Sequence, residues 1–199
     1  MAAITLAKLL RQIQIKTTDE RVILGISDDS RVLQKDWLFI ARKGSVQSGA
    51  DYITEALTKG AVVLWEGENK RDCYHCDNII RAQTIILRFY YGDPSRHLRV
   101  IGVTGTNAKT SVSDILAQLL KTMKQRVMVI GTGAVRFLGR EIAIDNTTPS
   151  ACVLGYYFHQ ALKHHIPTVI MEVSSHAIDQ ERIGFIRFDA VIYTNIASD

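Results

Sequence analysis

The stretch that most restricts how this chain can fold is L-R-V-I-G-V-T-G-T-N-A-K-T-S, residues 98–111. An apolar run reads as a buried strand, Gly102 and Gly105 punctuate a loop, and Lys109-Thr110 opens a segment with helical spacing. A strand, glycine loop and helix in that order turn successive backbone N–H groups toward one point. The helix adds the positive end of its dipole there, and a lysine adds a mobile full charge. Such a loop cradles phosphate and points to a nucleotide triphosphate. The common phosphate-loop pattern ending at Lys109 places glycines at 103 and 108, where this chain has Val103 and Ala108. On spacing alone, a strand-to-helix turn with an incidental lysine is the competing reading.

Composition limits the alternatives. A chain of 199 residues with 47% hydrophobic content and three prolines has enough apolar material for one large or two small folded domains. The net charge of +4 comes from scattered basic residues, Arg42-Lys43 being one of the short groups, so anionic small molecules fit better than a nucleic-acid surface. The N-terminal residues lack a signal-peptide pattern and no window approaches a membrane span, which predicts a cytoplasmic protein. Three cysteines predict reduced thiols. Cys73 and Cys76 form a C-x-x-C around His75, without a second pair at zinc spacing, and read as ordinary loop thiols.

Along the chain, Leu6, Leu9, Leu10 and Ile13 predict a first helix capped by Thr5. R-V-I-L-G-I then reads as a strand entering the polar loop S-D-D-S-R, and W-L-F-I-A as a strand entering a second polar loop, residues 42–49. Both loops are candidate ligand edges. A helix over 52–59, a strand over 61–65, an irregular stretch at 72–78 and a helix over 79–91 follow. Gly92 and Pro94 are the best linker signal, which sets domains at 1–95 and 96–199. Beyond it, strands at 99–103, 126–130, 168–173 and 189–194 alternate with helices at 109–123 and 151–165, with 141–146 extended. The uninterrupted apolar strands predict a parallel, helix-covered sheet buried on both faces. The fold class is therefore α/β throughout.

Several residues stand where chemistry needs them. Lys109 would neutralise phosphates and the Thr110 hydroxyl would ligate Mg²⁺. Glu172 sits at the carboxyl end of a buried strand, the edge where open α/β sheets bind ligands, and reaches the same ion if its strand neighbours the one before the loop. D-N-T-T-P-S, residues 145–150, supplies hydroxyls ahead of a helix and is equally an ordinary turn and N-cap. His176 beside Ser174 and Ser175 could donate a proton, yet neither serine sits in a G-x-S-x-G elbow. His159, His164 and His165 share a predicted helix and read as solvated.

G-V-T-G-T-N-A-K-T-S, D-N-T-T-P-S, M-E-V-S-S-H-A-I-D-Q-E-R and Y-T-N-I-A-S-D, in this order, resemble the Mur ligase family, and the S-D-D-S-R-V to A-L-T-K-G-A region extends the likeness over nearly all 199 residues. The closest resemblance is to the branch that adds a diamino acid, L-lysine or meso-diaminopimelate, to UDP-N-acetylmuramoyl-L-alanyl-D-glutamate in peptidoglycan (cell-wall) precursor synthesis. The resemblance implies a small UDP-substrate-binding α/β domain followed by the first part of a parallel-sheet P-loop ATPase domain. It implies an ATP- and Mg²⁺-dependent enzyme acting through an acyl phosphate. It also implies that Gly105, Thr106, Asn107, Ala108, Lys109, Thr110 and Ser111 hold ATP, with Lys109 and Glu172 catalytic and Thr110 and Glu172 at the metal. Ser30, Ser45, Val46 and Gln47 would hold the UDP end of the substrate, and Asn146, Thr147, Thr148, Ser174, Gln180 and Arg182 the peptide end.

Three departures accompany the resemblance. Ala108 stands for a glycine, Ser48 for a common aspartate, and the sequence stops at Asp199, before the family's histidine-containing metal motif, modified lysine and C-terminal domain. The expectation is a truncated chain that does not complete ligation alone. The alternative reading is a non-catalytic nucleotide- and UDP-sugar-binding module in which Ala108 marks lost ATPase activity; a different P-loop kinase leaves the first two polar loops without a role.

Overall fold

The computed structural model describes residues 3–42, 48–68 and 70–196. The chain divides into two compact units, 1–92 and 93–199. Gly92 closes the first in the left-handed conformation (φ +74°), and Asp93 (φ +49°) and a 3-10 turn at Pro94–Arg96 begin the second. In that turn Pro94 and Ser95 are buried.

In the first unit, strands β1 (Gly25–Ser27), β2 (Trp37–Ala41), β3 (Val62–Trp65) and β4 (Cys73–His75) form a parallel sheet in sequential order. Helix α1 (Leu6–Arg11) starts where the Thr5 hydroxyl accepts the Lys8 N–H. Helix α2 (Ile53–Thr58) precedes β3. Helix α3 (Ile79–Tyr91) spans the residues its spacing predicts, its Asn78 N-cap accepting the Arg81 N–H at 2.8 Å. Alternation across the strands splits the core. Phe39, Ala41, Val63 and Trp65 join Leu33, Ile53 and Ala56 on the α2 side, while α3 packs on β2 and α1 on α3.

Two expectations fail here. The strand read from R-V-I-L-G-I shrinks to Gly25–Ser27, and Val22 makes only an isolated bridge to Thr5. The stretch at 72–78 expected to be irregular contains β4, a three-residue strand between Asp72 and Cys76 whose identity comes from pairing with β3 rather than from its own pattern.

In the second unit, β5 (Arg99–Thr104), β6 (Val127–Gly131), β7 (Ala134–Phe137), β8 (Arg140–Ala143), β9 (Thr168–Val173) and β10 (Ala190–Tyr193) lie in the order β10-β5-β9-β6-β7-β8. Pairs among β10, β5, β9 and β6 are parallel, and β7 and β8 add an antiparallel meander. The sheet is thus mixed, correcting the purely parallel expectation. The missed strand β7 is a hairpin return after Gly133 (φ +83°).

Helix α4 (Lys109–Thr122) leads from β5 to β6 and covers Val103, Val127, Val129 and Ile170. Helix α5 (Ala151–Lys163) leads toward β9, with Phe158 and Phe185 edge-to-face at 6.4 Å. A short helix α6 (Ser175–Asp179) follows β9. The predicted helix to residue 165 stops earlier, because His165 turns left-handed (φ +53°). His159 and His164 are half-buried rather than solvated, and burial draws the His159 imidazole below its ordinary 6.5. The strand β9 is buried along its whole length, as its apolar run predicts. By contrast β10 is largely exposed, because it pairs with β5 on one side and, among the described residues, with no strand on the other.

Candidate functional site: the carboxyl edge of the second sheet

The connection after β5 runs past β9 to β6, and the connection after β9 runs back past β5 to β10, so the winding of the sheet reverses between β5 and β9. Ligands of open α/β sheets bind outside such a reversal, at the carboxyl ends of the strands. The glycine loop stands there. Gly105 is left-handed (φ +135°), and a Cβ on it would run into the Thr194 hydroxyl and the Asn195 backbone, so the loop passes close against the end of β10. The Asn195 side-chain oxygen accepts the Asn107 N–H at 3.0 Å, the Asn195 carbonyl accepts the Thr106 N–H at 3.2 Å, and the Thr194 hydroxyl donates to the Asn107 carbonyl at 2.7 Å. Lys109 Nζ arches back over the loop, donating to the Gly105 and Thr106 carbonyls at 2.7 and 3.0 Å.

Ala108 is the N-cap of α4 and adopts φ +65°, ψ 8°. A left-handed alanine costs about 1–2 kcal/mol. Ala108 thus takes the left-handed backbone that a glycine adopts without steric penalty.

Glu172 lies on β9 directly beside Val103 of β5, and its side chain is fully buried. Its Oε2 accepts the hydroxyls of Thr110 and Thr132, each at 3.1 Å, and its Oε1 accepts the Thr132 backbone N–H at 3.2 Å. A buried carboxylate is tolerable only with such donors. Gly131 makes room for it, since a Cβ at that position would collide with Oε1. Thr110 at the start of α4 and Glu172 at the end of β9 are thereby joined into one oxygen-rich corner. A hydroxyl and a carboxylate are the hard oxygen donors that Mg²⁺ selects.

The loop at residues 145–150 reaches the same edge. The Thr148 hydroxyl donates to the Glu172 carbonyl at 2.9 Å and accepts the Ser174 N–H at 3.0 Å. Arg182 donates through Nη1 to the Thr148 carbonyl at 2.7 Å, and through Nε and Nη2 to Gln180 Oε1 at 3.0 and 2.7 Å. Ser150 caps α5 by accepting the Val153 N–H, and Ser174 caps α6 by accepting the Ala177 N–H. Asn146 is exposed on this loop and His176 on α6.

One described candidate lies elsewhere. Ser30 belongs to the first unit, in a 3-10 turn after β1 capped by Asp29. Its buried hydroxyl donates to Glu55 at 3.3 Å, while Lys59 donates to the Ser30 carbonyl and pairs with Glu55. Bidentate contact with Arg31 is the main cause holding the Asp29 carboxyl below its ordinary 3.8. Ser45, Val46 and Gln47 fall outside the described residues. Cys76 is buried with its thiol against the Trp65 carbonyl, and burial pushes it up to about 11, far from a reactive thiolate.

Residue chemistry alone does not single out Thr132, Thr194 or Asn195. Thr132 carries a signal like that of Glu172, a polar residue at the carboxyl end of an apolar strand.

Residues 103–199 match the family model described as the Mur ligase middle domain. Over 98% of its length the chain is 35% identical to a UDP-N-acetylmuramoyl-L-alanyl-D-glutamate–2,6-diaminopimelate ligase of Coxiella burnetii, and over 96% it is 33% identical to the Pseudomonas aeruginosa protein of that name. It spans 41% of the length of each. A solved structure of a ligase with the same name superposes with a TM-score of 0.82 at 27% identity, covering 99% of this chain and 41% of that one. A MurF ligase from Thermotoga maritima in complex with ADP shares the fold, with a TM-score of 0.60 at 20% identity, over 86% of this chain and 37% of that one.

Proposed function

Because residues 103–199 match the Mur ligase middle-domain model, we propose that this chain carries the nucleotide- and substrate-gripping part of an ATP-dependent ligase of peptidoglycan precursor synthesis. The substrate in this reading is UDP-N-acetylmuramoyl-L-alanyl-D-glutamate, and the incoming partner is a diamino acid, 2,6-diaminopimelate by the names of the relatives. The reaction belongs in the cytoplasm, where such a nucleotide-linked precursor is made. The whole ligation is proposed for a chain of the relatives' length, and these 199 residues alone are not expected to complete it.

The observation that carries this reading is the junction of Thr110 and the buried Glu172 at the mouth of the glycine loop, 3.1 Å apart. The backbone N–H groups at the start of α4 and the Lys109 ammonium would hold the ATP phosphates. Thr110 would offer its oxygen lone pairs outward while its hydroxyl hydrogen stays on Glu172. Bound there, Mg²⁺ would draw charge from the phosphate oxygens and orient them. Asn146, Thr147, Thr148, Ser174, Gln180 and Arg182 would grip the peptide end of the substrate, Arg182 being held by Gln180 and the Thr148 carbonyl. In the first unit, Ser30 with Ser45, Val46 and Gln47 would take the UDP end. The γ-phosphoryl group passes to the D-glutamyl carboxylate, giving an acyl phosphate and ADP. The diamino acid's amine then displaces phosphate to form the amide.

Isothermal titration of the 199-residue chain with ATP and Mg²⁺ tests the nucleotide half directly. Saturable binding is expected, weakened by roughly 10-fold or more in Lys109→Ala, the scale of a lost charge-assisted contact. No heat with MgATP, together with no thermal stabilisation, would sink the reading.

A further inference from the structure

Thr132 is exposed, belongs to neither the glycine loop nor the substrate loop, and lies at the turn between β6 and β7. It nevertheless makes two of the three side-chain contacts to Glu172, one from its hydroxyl and one from its backbone N–H. Its hydroxyl oxygen also stands 3.1 Å from the Thr147 hydroxyl. A threonine has one hydroxyl hydrogen and two lone pairs. With the Thr132 hydrogen committed to Glu172, the Thr147 hydroxyl must be the donor in the second contact. The hydrogen bonds therefore run in one direction, from Thr147 to Thr132 to Glu172, and Thr110 converges on the same Oε2 from the other side.

Thr147 is itself held in place. Its neighbour Thr148 is pinned to β9 through the Glu172 carbonyl and the Ser174 N–H, and Arg182 clamps the Thr148 carbonyl. Gly131, which leaves space for the carboxylate, immediately precedes Thr132. Three of the roughly four acceptor positions of a carboxylate are taken up, so the Glu172 head group has one orientation.

We propose that Thr132 is a positioning residue that fixes the metal-side carboxylate Glu172 and links it to Thr147 of the substrate loop. This rests on the nucleotide-binding reading above. Residues that orient a metal ligand through hydrogen bonds change metal affinity by about 10–100-fold when removed. Thr132→Val keeps the shape and the backbone N–H and removes only the hydroxyl. Thr132→Ser restores it.

The test measures ATP affinity of the 199-residue chain by titration calorimetry with Mg²⁺ and with EDTA, the ratio giving the Mg²⁺-dependent gain. Thr132→Val is expected to lower that gain about 10-fold with the EDTA affinity unchanged, and Thr132→Ser to keep most of it. Thr147→Val is expected to lower it less, and the double Thr132→Val/Thr147→Val chain to fall no further than Thr132→Val, as for two residues acting in series. A Thr132→Val gain equal to wild type overturns the proposal. So does an equal loss with and without Mg²⁺, which marks general damage, or a Thr132→Ser variant as impaired as the valine. Wild type that binds ATP without any Mg²⁺-dependent gain overturns the positioning role and leaves nucleotide binding standing. Wild type that binds no ATP overturns both.

Discussion

Ala108 shows how one residue can carry both a family trait and a departure from it. The left-handed backbone at this position is required by the loop, because the chain must turn from β5 into α4 while Gly105 passes against Thr194 and Asn195. Alanine adopts that backbone at a cost of about 1–2 kcal/mol, and glycine does so without steric penalty. The strain is present in the free loop, so relieving it acts first on stability. Ala108→Gly is expected to stabilise the chain by about 1 kcal/mol, a rise of roughly 2–4 °C in Tm, readable by scanning calorimetry without nucleotide. A lower Tm for the glycine variant would show that the methyl group makes contacts outweighing its strain. Glu172 makes the complementary point. Its place at a strand end is legible in T-V-I-M-E-V, and its burial and its three donors are not, since two of them come from Thr132, forty positions away.

At the scale of elements, the segments that announce themselves have strong periodic patterns and caps. The helix α3 begins at Asn78 and ends at Gly92 for reasons visible in the residues, and β9 is a continuous apolar run buried throughout. The strands β4 and β7 are three and four residues long, too short for their own alternation to set them apart from the loops around them. The 3-10 turn Ser30–Val32 is held by the Asp29 cap and the Asp29–Arg31 pair. Arg31 lowers the Asp29 carboxyl in the folded state, so the stability this group contributes is complete above its unfolded value near 3.8 and is lost as pH falls through the folded value. Asp29→Asn is therefore expected to be less stable than wild type at pH 7, with the difference shrinking as pH drops below about 4. Urea titrations at pH 7, 5 and 3 measure it. A difference that is constant with pH would assign the effect to the cap rather than to the charge.

For the whole molecule, each unit has its own core and its own sheet. The second sheet ends in β10, where Val191 and Tyr193 are 61% and 54% exposed. Ile115 and Leu119 of α4 and the C-cap residue Met123 recur at helical spacing and are also exposed. An open strand edge with apolar side chains favours pairing with another chain. The 199-residue chain is thus expected to self-associate with rising concentration, and Val191→Lys to shift it toward monomer, as followed by sedimentation velocity. A wild-type sedimentation coefficient that does not change with concentration would count against this.

The amino-acid sequence by itself determined the α/β class, the long helices, the buried strands β6 and β9 and the glycine loop, and it named candidates to act around that loop. These are properties of local periodicity, turn chemistry and motif order, each confined to a few consecutive residues. Tertiary structure alone decided the order β10-β5-β9-β6-β7-β8, the adjacency of Val103 and Glu172, the meeting of Thr110 with Thr132 on one carboxylate, and the exposure of β10. Those depend on which strands lie side by side. That choice is made by packing between segments tens of residues apart, and no short window of sequence records it.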